Sequence, residues 1–98
     1  AAAGAVEQSR ALVAAERASA RAALDAAQAV ERLAAERDAL ARETLQLYTR
    51  AFDLGEIDLA TRLRAQNERY DAEFDFEIAR IEHARAISAM NQANGVLP

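Results

Sequence analysis

Uncharged positions recur along this chain about every seven residues for almost its whole length. Over roughly 5–53, one column of every seventh residue reads Leu12, Ser19, Ala26, Leu33, Leu40, Leu47, Leu54. The neighbouring column reads Val6, Val13, Ala20, Ala27, Ala34, Ala41, Tyr48. Two adjacent apolar columns at this period predict a long helix with one coiled-coil seam, thin at its start and bulky toward residue 54. After a short interruption the period resumes. Ala60, Phe74, Ile81 and Ser88 share one column and Leu63, Tyr70 and Ala84 share the next, which predicts a second helix whose bulky stripe faces the first.

The second helix carries another apolar column. Ala65, Ala72, Ala79, Ala86 and Ala93 occupy five consecutive heptads without an exception, roughly opposite the bulky stripe, with Phe76 and Met90 beside them. A two-helix hairpin needs only one apolar seam. A second seam of small residues predicts a second close helix neighbour, because small side chains let helix axes approach toward the short end of the ~8–10 Å range. The alternative is that surface alanine only raises helix propensity. The column Glu68, Asp75, Glu82 is acidic and is expected to face water.

The interruption itself is Asp53-Leu54-Gly55-Glu56-Ile57-Asp58. Glycine accepts the left-handed conformation that the residue just past a helix end often needs. Glu56 and Asp58 place negative charge where the next helix's dipole is positive. Asn94-Gly95, with Pro98 just beyond, supplies a stop. The expected architecture is all-α: a long antiparallel two-helix coiled-coil hairpin, with helix 1 at about 5–53, a tip at 54–56 and helix 2 at about 57–94. At ~1.5 Å per residue the helices would be about 70 Å and about 55 Å long.

Composition sharpens this picture. Of 98 residues, 52% are hydrophobic, but 27 are alanine and only 5% are aromatic. Methyl side chains bury little area, so at roughly 25 cal/mol per Å² the chain lacks the volume for a compact globule. One proline and three glycines argue against sandwiches, barrels and loop-rich folds. No cysteine is present, which excludes disulfides and thiolate chemistry. The net charge of −4 and the lack of any basic run argue against nucleic acid as a partner. No stretch approaches the ~18 continuous apolar residues of a membrane-spanning helix. The first residues lack the basic and apolar regions of a signal peptide.

No catalytic constellation is visible, and neither an enzyme nor a cofactor or metal is expected. His83 is the only histidine, and its helical neighbours Ala79, Arg80, Ala86 and Ile87 include neither a metal ligand nor a base partner. It reads as a surface or seam residue. Carboxylates alternate with arginines at three- and four-residue spacing, as Glu36 with Arg32 and Glu82 with Arg85. Such exposed pairs contribute at most a few tenths of a kcal/mol each. There is no glycine-rich phosphate loop and no paired-histidine helix motif.

The segment from Tyr48 to Gln66 nonetheless resembles a known pattern. An aromatic residue, then Gly, an acidic residue, an aliphatic, and soon Leu-x-Ala-Gln stand here as Tyr48, Gly55, Glu56, Ile57, Leu63, Ala65 and Gln66. This is similar to the periplasmic hairpin tip of TolC-type outer-membrane efflux proteins, the outer-membrane factors of tripartite pumps. The wording Gly55-Glu56-Ile57-Asp58 most resembles the heavy-metal efflux branch. The ending Ala93-Asn94-Gly95-Val96-Leu97-Pro98 resembles the close of the last long helix in that family.

The resemblance implies a homotrimer in which each protomer supplies β-strands to an outer-membrane barrel and long helices to a periplasmic α-barrel. It implies that this chain is a hairpin of a longer Gram-negative outer-membrane protein, without its strands. Leu54, Gly55, Glu56 and Ile57 would then meet the pump's periplasmic adaptor protein. Helix packing would rest on Leu33, Leu40, Leu47, Leu63, Tyr70, Phe74 and Ile81, together with the alanine column. Relatives often carry acidic residues just after the tip, lining the entrance; here Thr61 and Arg64 stand at those positions, with Asp58 and Arg62 as other nearby charges. Taken apart from such a barrel, the hairpin is expected to self-associate through its uncovered alanine seam, as an antiparallel four-helix bundle.

Two other classes stay open beside this one. A soluble coiled-coil scaffold or oligomerisation module would share the heptads but tolerate any residue that permits the turn. A lipid-surface helix would need a basic polar face, which the arginine and carboxylate alternation does not supply.

Overall fold

The computed structural model describes residues 2–95 and the side chains from Gly4 onward. Val96, Leu97 and Pro98, which complete the expected ending, lie outside the described residues. The fold is an all-α helical hairpin made of α1 (Ala2–Asp53) and α2 (Leu59–Ala93). The chain divides into two compact units, residues 30–80 and residues 1–29 with 81–98. In each unit α1 and α2 run antiparallel.

Both helix ends follow from local chemistry. At the end of α1, Gly55 has φ +75° and its N–H donates to the Phe52 carbonyl at 2.9 Å, while the Glu56 N–H donates to the Ala51 carbonyl at 2.9 Å. This pair of reversed bonds is a Schellman motif, which satisfies carbonyls the helix leaves open. The second helix starts at Leu59, two residues past the expected Ile57. Asp58 is the N-cap: its Oδ1 accepts from the Thr61 N–H at 2.9 Å and from the Thr61 hydroxyl at 2.6 Å. The acidic residue therefore sits before the helix, not in its first turn. At the end of α2 the Asn94 N–H donates to Met90 and the Gly95 N–H to Gln92, with Gly95 again at φ +75°. Nothing lies within 4 Å of a Cβ built on Gly55, so the constraint there is purely conformational. Gly55→Ala is expected to lower stability by about 1–2 kcal/mol through the left-handed backbone alone, as read from urea unfolding.

The seam between the helices is the reverse of the one the heptad columns suggest. In the unit of residues 30–80, Ala65, Ala72 and Ala79 are buried, Ala72 to 1% exposure. Leu33, Leu40, Leu47, Leu63, Tyr70 and Phe74 are all exposed, Leu33 and Phe74 at 65%. The alanine column of α2 thus faces α1, and the bulky stripe of α2 faces outward. On α1 the inner column is only partly the expected one. Ala34 and Ala41 lie half-buried, but their companion column is Glu31, Asp38, Leu45 and Phe52 rather than the leucines. The physical reason is register. Alanine columns repeat in phase on both helices, so the backbones close over small side chains along the whole unit, whereas the leucines stand about a quarter-turn away.

Polar groups occupy the seam beside the alanines. Asp38 is 7% exposed, and its Oδ2 accepts from Arg42 Nε at 3.1 Å, one turn on along the same helix. Burying a carboxylate is costly unless it is paired, and this pairing offsets part of that cost. Arg69 reaches Glu73 at 2.9 Å with its side chain mostly covered. Across the helices Arg37 pairs with Asp75 at the rim of the seam, and the acidic column Glu68, Asp75, Glu82 is exposed along its length, as expected. Near the tip the Arg62 guanidinium lies 5.2 Å from the centre of the Phe52 ring, a cation–π contact that closes the end of the seam.

Among the described residues of the other unit Leu24 is the buried apolar one, with Ala20, Ala27, Ala86, Met90 and Ala93 half-buried. Arg17 Nε donates to the Ala93 carbonyl at 3.3 Å, so a basic side chain of α1 meets the carbonyls that end α2. Val6, Leu12, Val13, Ile81 and Ile87 are exposed. On the outer surface Arg85 pairs with Glu82 at 3.1 Å as the spacing suggests; no ion pair joins Arg32 and Glu36 among the described residues.

Candidate interaction surfaces

Three surfaces remain once the seam is assigned. The first is the tip. Leu54 is 69% exposed, Gly55 and Glu56 are exposed, and Ile57 is half-buried. Leu59, which the sequence reading did not single out, is exposed beside them. The Schellman turn and the Asp58 cap together hold these side chains on a rigid reversal, so an apolar knob is presented with little conformational entropy left to lose on contact.

The charges near the tip are already engaged. Asp58 is committed to the cap, and the hydroxyl and N–H of Thr61, followed by the charge of Arg64, hold its carboxyl below the usual carboxylate range. Thr61 serves the cap, Arg62 covers Phe52, and Arg64 is exposed. Because folding lowers the pKa of Asp58, its contribution is complete above the unfolded carboxylate value and disappears as pH falls through the lower folded value. Asp58→Asn keeps an acceptor at the cap and removes the titration. That variant is expected to lose less helicity than the parent between neutral pH and the acid end of the carboxylate range, as followed by circular dichroism.

The second surface is the leucine column of α1. Leu33, Leu40 and Leu47 project outward at heptad spacing in the unit of residues 30–80. Leu40 also walls a shallow groove with Arg37, Ala41, Thr44, Ala65 and Glu68, which shows how the column adjoins the alanine seam. The third surface is the outer face of α2, where Leu63, Tyr70 and Phe74 are exposed and Arg69 lies 5.7 Å from the Tyr70 ring centre. Apolar side chains thus occupy two opposite faces of α2: small ones inside, large ones outside. The expectation of two apolar faces holds, but which one the partner helix covers is inverted.

Two signals for the true seam were present in the sequence and were masked. The column Leu24, Glu31, Asp38, Leu45, Phe52 on α1 contains two carboxylates, and the column Arg62, Arg69, Phe76, His83, Met90 on α2 contains two arginines. Each looks too polar to be inner when read alone. The structure keeps them there by local pairing: Asp38 is held by Arg42 one turn on along α1, Arg69 by Glu73 one turn on along α2, and Arg62 covers Phe52 across the seam.

His83 is half-buried on α2 and is one of those seam positions. Among the described residues no group of three or more metal-ligating side chains comes together, and no helix is long and apolar enough to cross a membrane. No protein family, curated protein or solved structure matches the chain.

Proposed function

We propose that this hairpin is a structural and docking segment of an outer-membrane efflux duct, forming part of the wall of the periplasmic tunnel and its adaptor-contacting tip. The observation that carries the reading is the outward placement of large apolar side chains on both helices. A free hairpin gains nothing from exposing Leu33, Leu40, Leu47, Tyr70 and Phe74, whereas a wall segment needs helix neighbours beyond its own partner. Contiguous exposed apolar faces mark interaction surfaces more often than they occur by chance on a soluble monomer. The resemblance of Tyr48, Gly55, Glu56, Ile57, Leu63, Ala65 and Gln66 to the hairpin tip of TolC-type proteins gives that wall its setting: a homotrimer in the outer membrane of a Gram-negative bacterium, with the tip directed at the adaptor.

The test separates the tip from the fold. Gly55→Trp is a blunt probe, because the positive φ alone strains any side chain there. Leu54→Asp is cleaner, since Leu54 is exposed and precedes the strained position. In the full-length protein Leu54→Asp is expected to abolish export while leaving helicity and the unfolding midpoint of the 98-residue chain unchanged. Export at the parental level would remove the docking role and leave a coiled-coil scaffold as the reading of the same surfaces.

A further inference from the structure

We draw no further inference here: the strongest candidate, the exposed stripe of Leu63, Tyr70 and Phe74 on the outer face of α2, is an unpartnered apolar face, and beyond the wall role already proposed for it nothing in the structure shows what covers it.

Discussion

Replacing Ala72 with leucine is expected to be the most damaging single change in the helical hairpin, and replacing Leu40 with alanine is expected to change stability hardly at all. Ala72 is the most deeply covered alanine of the seam. Added methylenes there have no void to fill, so they must displace a neighbour or push the helices apart. Overpacking of this kind costs about 1–3 kcal/mol, and the upper end applies here because a rigid helix pair shares the displacement along several turns. For a chain near 100 residues that corresponds to a drop of roughly 4–8 °C in Tm per kcal/mol. Leu40 is exposed, and surface changes usually stay within about 0.5 kcal/mol; alanine is also the better helix former. Urea unfolding followed by circular dichroism measures both. Were the bulky columns the true seam, the order would invert. Leu40→Ala would then cost about 2–5 kcal/mol as a core truncation, and Ala72→Leu would be harmless.

The local elements of this fold are legible in the residues, and the seam between the helices is not. The two helices, the reversal at Gly55 and the stop at Gly95 were legible because each is set locally. Heptad period, a glycine free to take positive φ, and an aspartate able to cap are properties of a few neighbouring residues. The seam is a property of two helices together. Apolar area favours burying Leu33, Leu40 and Leu47 when α1 is considered alone, and the alanines look like filler. Close approach of two backbones reverses that preference, because it rewards small residues in phase on both sides and tolerates Asp38 and Arg69 where each has a partner one turn away. The start of α2 shows the same distinction on a smaller scale. The residue type places Asp58 at the start of α2, but whether it lies before or inside the helix depends on its bond to Thr61.

Changing Tyr70 and Phe74 together to serine is expected to leave the unfolding midpoint of the 98-residue chain in place and to remove its association. Both rings are exposed on the outer face of α2, so their loss takes nothing from the seam. The inversion of the seam moves the expected self-association from the alanine column, which the partner helix covers, to this face and to the leucines of α1. Aromatic anchors at the centre of an interface commonly contribute about 2 kcal/mol or more each, and each 1.4 kcal/mol is tenfold in Kd. The double substitution should therefore weaken association by about two to three orders of magnitude. Sedimentation of the parent at rising concentration should show a growing average mass, and the double variant should stay monomeric; a parent that is monomeric throughout would defeat the idea. On the proposed reading of the hairpin as part of an efflux duct, the same pair in the longer protein should block assembly of the proposed trimer, whereas Leu54→Asp should allow assembly and block export. That crossed outcome assigns the two surfaces separate tasks. A general coiled-coil scaffold would respond to the first change and be indifferent to the second, because only a docking tip has a use for an exposed leucine on a rigid turn.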